Sequence, residues 1–116
     1  MTAATQAALD RVTRVTGVRG ALVVAASDGL VVAEQLMEGV DGQAAAALTG
    51  SLVGRLTRTA ESAGMRRPAF VHLRGDAGSV LAAPGPDDLV LVAVVGPDAN
   101  LGLARLEMLE AAGHLG

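Results

Sequence analysis

Two short segments of the chain are apolar at both odd and even positions, and this pattern constrains the fold more than any other feature. Residues 21–26 read ALVVAA, and residues 88–95 read DLVLVAVV. A strand whose side chains are apolar in both directions is buried on both of its faces. The pattern therefore predicts a sheet covered by helices on each side, with residues 88–95 as a central strand.

A hairpin is the clearest local signal. Two apolar runs, Gly20–Ser27 and Leu30–Met37, flank the pair Asp28-Gly29. Such a pair favours a tight two-residue turn, because glycine adopts a positive φ freely and aspartate tolerates one. The second run becomes polar at Glu34, so we expect it to leave the core or to lie near an edge of the sheet.

Apolar periodicity predicts three helices and three further strands. Asp41 is suited to be the N-cap of a long middle helix, and Thr2 suits the same role in the first helix. The predicted order is α-β-β-α-β-β-β-α, in one domain that spans residues 1–116. The predicted helices cover residues 3–15, 42–63 and 97–113, and the further strands cover residues 69–74, 79–83 and 88–95.

The middle helix carries two distinct stripes. Glycine inside a helix is about 1 kcal/mol less favourable than alanine, and Gly50 and Gly54 share one stripe. Small residues four apart allow a second helix to approach closely, although a tolerant exposed face would look the same. The predicted core stripe is Ala45, Leu48, Leu52, Leu56, Ala60 and Ala63, with Val53 beside it. The opposite stripe is Ala47, Gly50, Ser51 and Gly54.

The short strand that begins near Phe70 is a second candidate for contact with another chain. It carries Val71 and Leu73 on one face, and Phe70 and His72 on the other. The pattern does not distinguish an interior strand from an edge strand. At an edge, its unpaired backbone groups need a cover, and pairing with a second copy of the chain would supply one.

Composition narrows the classes of partner. Nine arginines, no lysine and twelve acidic residues give a net charge of −3. This balance argues against nucleic acid or a membrane surface as the main partner. The absence of cysteine excludes disulfides and thiolate metal sites. No signal peptide is recognised and no apolar run could span a bilayer, so we expect a cytoplasmic protein.

Candidate catalytic residues are sparse, and each has a simpler explanation. His72 lies within a strand without a local partner, and His114 lies at the end of the last helix. Ser27, Asp28 and Gly29 are explained as residues of the hairpin turn. Asp87 and Asp88 directly precede a strand, where solvent-exposed acidic residues are expected. A lysine-containing phosphate loop is impossible here. We therefore predict no catalytic, cofactor-binding or metal-binding residue, and no enzyme.

The element order and three segments resemble the roadblock/dynein light chain family over nearly the whole chain. The segments are GALVVAASDGLVVAEQL from Gly20, GQAAAALTGSLVG from Gly42 and DLVLVAVVGPDANLGLARLEM from Asp88. The resemblance implies an α+β fold in three layers, α/β/α, of roadblock/profilin-like architecture. It implies a five-stranded antiparallel sheet with the middle helix on one face and the terminal helices on the other.

The resemblance also implies partners. Family members are typically homodimers or heterodimers joined edge to edge, and MglB-like members bind small Ras-like GTPases and can stimulate GTP hydrolysis. We therefore expect a homodimeric regulator or scaffold for such a GTPase, with a sensor-kinase-like protein as a further candidate partner. The expected dimer interface is Ala47, Gly50, Ser51, Gly54, Phe70, Val71, His72 and Leu73, and the expected partner contacts are Gln43, Arg55, Arg58 and Glu61.

Three other functions stay open. Related three-layer folds bind metabolites, so the chain could be a small-ligand sensory domain or a structural scaffold in a signalling complex. The scarcity of aromatic residues argues against a large ligand pocket. An intrinsic enzyme that uses His72 is the third alternative.

Overall fold

The computed structural model describes residues 3–115 and confirms the predicted order of elements. Within these residues, three helices and five strands form three layers. The element bounds are α1 (Ala3–Thr13), β1 (Val18–Ala25), β2 (Leu30–Leu36), α2 (Gly42–Ser62), β3 (Val71–Gly75), β4 (Gly78–Pro84), β5 (Leu89–Val95) and α3 (Leu101–Ala112).

The five strands form one antiparallel sheet in the order β2-β1-β5-β4-β3. The two strands that are apolar on both faces, β1 and β5, are neighbours near its centre, as predicted. β2 lies at one edge, which explains its polar end around Glu34. β3 lies at the other edge, which settles the alternative that the sequence left open for this strand.

Each face of the sheet has its own apolar core. One core joins Val23, Leu91 and Leu81 to the terminal helices, and the other joins Leu22 and Val92 to α2. The alternation of neighbouring residues between the two cores is the direct consequence of strand geometry. The helical residues that complete them are Leu9, Val12, Ala104 and Met108 on the first face, and Ala46 and Val53 on the second.

The predicted core stripe of α2 is wrong for its leucines, whereas Ala45 packs against the core and Val53, predicted beside the stripe, is buried. The stripe that packs on the sheet consists of small residues, and the leucines lie beside it in contact with solvent. Small side chains occupy this position because they let the helix backbone lie close to the sheet. The buried residues of α2 are Gly42, Ala46, Thr49, Gly50 and Val53.

The hairpin is confirmed, but its turn is longer than predicted. Four residues, 26–29, connect β1 to β2, and Gly29 alone among them has a positive φ, of 69°. The Gly29 amide donates to the Ala25 carbonyl at 2.9 Å. Asp28 acts through its side chain instead, because its Oδ1 accepts a hydrogen bond from the Leu30 amide at 3.2 Å.

Side-chain caps determine where two of the helices begin. The Asp41 side chain accepts from the Ala44 amide at 3.0 Å, which confirms the predicted N-cap of α2. The last helix begins four residues later than predicted, because Asn100 caps it by accepting from the Leu103 amide at 3.1 Å. The first helix ends at Thr13, two residues early. The Thr2 prediction lies outside the described residues.

Thr49 offers a direct test of how α2 packs. Its side chain is 2% exposed, and its hydroxyl has no hydrogen-bond partner within residues 3–115. An unsatisfied buried hydroxyl costs about 1–3 kcal/mol. We therefore expect Thr49→Val to raise the free energy of unfolding by about 1 kcal/mol, as measured by urea denaturation. Thr59→Val, on the exposed side of α2, is the matched control and should change little.

Gly50 and Gly54 form a second matched pair. A Cβ at Gly50 would lie 3.1 Å from the Gly29 Cα and 3.2 Å from the Ala26 carbonyl oxygen, whereas Gly54 faces open space apart from Arg58. Gly54→Ala should therefore stabilise the fold by about 0.5–1 kcal/mol through helix propensity. The free energy of unfolding of Gly50→Ala should be about 1–3 kcal/mol lower than that of Gly54→Ala, because the added methyl group overpacks the contact with the loop. Equal values for the two variants would contradict the observed packing of α2.

Candidate partner-binding surface

A line of exposed leucines runs along one flank of α2. Leu48 and Leu56 are 46% and 36% exposed, and Leu52 between them is half-buried. Their spacing of four residues places them on one side of the helix. We call Leu48, Leu52 and Leu56 the leucine ridge, and it is an apolar surface that the rest of the described chain leaves uncovered.

The edge strand β3 adds a second uncovered feature. It pairs only with β4, so one side of its backbone has no strand partner within residues 3–115. Leu73 is 43% exposed and pairs with Val80, which packs on the α2 side of the sheet. His72 points to the other side, where its Nε2 lies 3.0 Å from the Ser79 hydroxyl. Leu73 and the leucine ridge therefore share one face of the sheet.

Phe70 has an intramolecular role that the sequence did not indicate. It precedes β3 and packs against the core of the terminal helices. The Arg105 guanidinium lies 5.8 Å from the centroid of its ring, a cation–π distance. Phe70 therefore packs partly within the fold, as does Val71 on the α2 side, whereas His72 and Leu73 are exposed.

The small-residue stripe of α2 does not form one flat exposed surface, contrary to the expectation. Gly50 is buried against the loop between β1 and β2. The approach of the helix to that loop thus explains why glycine occurs there. The other three residues, Ala47, Ser51 and Gly54, line an open groove on the flank of α2 that faces away from the leucine ridge.

This groove runs between the middle of α2, residues 47–58, and two loops, residues 26–29 and the segment that connects β4 to β5. It encloses about 700 Å³. Its charged lining is split between basic residues on or near the helix and acidic residues on the loops. We call it the arginine groove, and its charged residues are Arg55, Arg58, Arg67, Asp28, Asp87 and Asp88.

The loop wall of the arginine groove is held by a carboxylate. The Ser27 amide donates to Asp88 Oδ2 at 3.0 Å, and the Ser27 hydroxyl donates to the same oxygen. These two hydrogen bonds lower the pKa of the Asp88 carboxyl, the hydroxyl having the larger effect. The contact therefore stabilises the fold above the ordinary pKa of 3.8, and it is lost as the pH falls through the lowered value.

The predicted partner residues lie at different places on α2. Arg55 and Arg58 come together at the arginine groove. Gln43 and Glu61 are exposed near the two ends of the helix and do not line the groove. The structure thus brings two of the four residues to one site.

Sequence reasoning missed two parts of this surface. The leucine ridge was assigned to the core, because a leucine stripe usually marks the buried side of a helix. Arg67 was assigned no role, because its approach to Arg58 depends on the path of the chain after α2. Its side chain donates to the Gly85 carbonyl at 3.1 Å, a contact across eighteen residues that no local pattern shows.

The helices in residues 3–115 include none with the length and apolar character that a membrane span requires. In the same part of the chain, no three acidic or histidine side chains are grouped closely enough to hold a metal ion.

Comparison with known proteins agrees with this architecture. The sequence matches the model of the Roadblock/LC7 domain family over residues 4–95. The Methanocaldococcus jannaschii protein MJ0310 is 34% identical over 96 residues, which are 83% of this chain and 82% of the relative.

Solved structures show the same fold. Myxococcus xanthus MglB superposes with a TM-score of 0.84 at 22% identity, covering 98% of this chain and 92% of that one. An MglB structure with a tetrameric arrangement has a TM-score of 0.82 at 23% identity, covering 97% and 88%.

The family match and the observed fold agree with each other. The family match covers most of the described residues, and the sheet order and helix layers confirm the fold that the resemblance implied. Roadblock domains are regulatory or scaffold proteins, so a regulatory or scaffold role has support. The chain belongs to the Roadblock/LC7 domain family.

Proposed function

We propose that this chain is a homodimeric, cytoplasmic regulator or scaffold that binds a small Ras-like GTPase. Membership of the Roadblock/LC7 family carries the proposal, together with a fold like that of MglB. The chain itself contributes two uncovered features, the leucine ridge and the edge strand β3, whose Leu73 lies on the same face as the ridge.

The dimer is supported by the chemistry of these features. Burying apolar area contributes about 25 cal/mol per Å², and the leucine ridge offers such area on a helix that the sheet already holds in place. An edge strand with free backbone groups also favours pairing with a second strand. In a two-fold symmetric dimer, the leucine ridges of the two copies would contact each other, and their β3 strands would pair at the same interface. The tetrameric MglB arrangement supports self-association as a property of this fold.

The GTPase contact is supported by residues on the opposite flank of α2 from the leucine ridge. Arg55 and Arg58 project from α2 into the arginine groove and form no ion pair within residues 3–115. An arginine supplied by a partner can stabilise the charge that develops during phosphoryl transfer. These two side chains are therefore the proposed contacts with the GTPase, and Gln43 and Glu61 are the outer residues of the same helix.

The position of the dimer interface can be tested by comparing substitutions on the two flanks of α2. Leu48→Glu combined with Leu56→Glu should convert a mass of two chains to one, measured by light scattering after gel filtration. Burying two unpaired carboxylates in an apolar interface costs several kcal/mol. Because both leucine side chains are exposed, we expect the fold to be unchanged, and circular dichroism checks this.

Ser51→Glu is the matched control, since Ser51 is exposed on the groove flank. It should leave the mass of two chains unchanged. Loss of the dimer with Ser51→Glu but not with the leucine pair would instead favour the interface of small residues. Gly50→Arg is unsuitable as a test, because Gly50 is buried and the variant would disturb the fold.

The GTPase is testable by affinity capture from the native organism with this chain as bait. We expect mass spectrometry to identify a small Ras-like GTPase, and Arg55→Glu combined with Arg58→Glu should reduce its recovery about tenfold or more. Arg14→Glu combined with Arg19→Glu makes the same change in charge away from the groove and should not reduce recovery.

Two outcomes would contradict the proposal. Equal loss in both double variants would show a general effect of charge instead of a contact. Recovery of self copies or sensor-kinase-like proteins without any GTPase would favour a scaffold that binds no GTPase.

A further inference from the structure

The arginine groove has the dimensions of a small-molecule site. Its volume of about 700 Å³ lies within the range of about 300–1,000 Å³ that ligand pockets occupy. Val53 and Val90, which belong to the core beneath α2, give it an apolar floor. Its helix wall is open at Gly54, where a Cβ would meet only Arg58. The groove can therefore hold a ligand against α2 without any change in the core.

The basic residues of the groove form no ion pair with the acidic residues around them. Within residues 3–115, no carboxylate lies within 4 Å of these guanidinium groups, whereas Arg11 is paired with Glu107. Arg67 is held by its hydrogen bond to the Gly85 carbonyl, which leaves most of its five N–H donors available. The arginines concerned are Arg55, Arg58 and Arg67.

Gly54 fixes where one of these arginines lies. A Cβ on Gly54 would be 3.4 Å from Arg58 Nη1 and would meet no other atom within 4 Å. The Arg58 side chain therefore folds back along the helix, over the position that a larger residue at 54 would fill. This glycine, which has no packing role, gives the guanidinium room inside the groove.

The opposite wall is acidic, and two of its three carboxylates accept hydrogen bonds from the loop residues 27–30. Asp88 accepts two hydrogen bonds from Ser27, and Asp28 accepts one from the Leu30 amide. Asp87 is exposed and has a positive φ of 58°. The separation of the two walls gives the groove a basic side and an acidic side with apolar residues between them.

We infer that the arginine groove binds a small organic anion. Its carboxylate or phosphate would pair with Arg58 and Arg67, since guanidinium groups bind both anions through parallel hydrogen bonds. Its hydroxyl or ammonium donors would face Asp87, and its uncharged part would lie on the apolar floor. Phe70, the one aromatic residue, does not line the groove, so a nucleobase would find no stacking partner. The inference does not depend on the proposed GTPase.

The test is a titration of the purified full chain at low ionic strength, followed by amide chemical shifts in NMR. The probes are O-phosphoserine and glutamate, which combine an anion with an ammonium group, and inorganic phosphate and acetate, which supply the anion alone. We expect saturable shifts at residues 26–29, 50–58 and 85–88. Phosphoserine against glutamate distinguishes phosphate from carboxylate recognition, and the simple anions should bind more weakly.

Variants locate the site. Arg58→Gln combined with Arg67→Gln should weaken the dissociation constant about tenfold or more, because charge-assisted hydrogen bonds are lost. Arg14→Gln combined with Arg19→Gln is the control and should leave it unchanged. Gly54→Leu should abolish binding by filling the groove, while circular dichroism shows an intact helix.

Two results would overturn the inference. One is the absence of saturable shifts with all four probes, and the other is equal weakening in the groove and control variants. No GTPase is present in this assay, so its failure leaves the proposed regulator untouched. Failure of the affinity capture would likewise leave the groove unaffected.

Discussion

The structure depends on the burial of β1 and β5 on both faces. Leu22 and Val92 face α2, while Val23 and Leu91 face the terminal helices. Exposing either face would forfeit about 25 cal/mol for each Å² of apolar surface, so helices have to cover both. With these two strands paired at the centre, the more polar β2 and the short β3 take the edges, and a three-layer arrangement follows.

The way in which α2 covers its face of the sheet creates both candidate surfaces. Its buried line is narrow, because Ala46, Gly50 and Val53 are small enough to bring the helix close to the strands. The leucine ridge remains uncovered on one flank, and the arginine groove opens on the other. One flank offers apolar area suited to a second copy, and the other offers unpaired charge suited to an anionic ligand. Substitutions can therefore separate self-association from binding at the groove.

Much of the fold was predictable from local signals. The hairpin at Gly29, the N-cap at Asp41 and the central position of residues 89–95 each follow from chemistry within a few residues. The candidate site was predictable only in part, since Arg55 and Arg58 were identified but Arg67 and the exposure of Leu48 were not. Those two depend on how separate elements meet. The GTPase and the dimer stay predictions, as does the extent of the domain.

The sequence by itself determined the order of elements, the sheet with two covered faces and the family, because strand and helix periods, turns and caps are properties of neighbouring residues. Only the tertiary structure decided which stripe of α2 is buried. Leucines and small residues both recur with the helical period, and the choice depends on how closely the helix can approach the loop at Gly29. The path of the chain after α2 likewise decided that Arg67 would join Arg58 at one groove, since contacts between distant segments have no local signature.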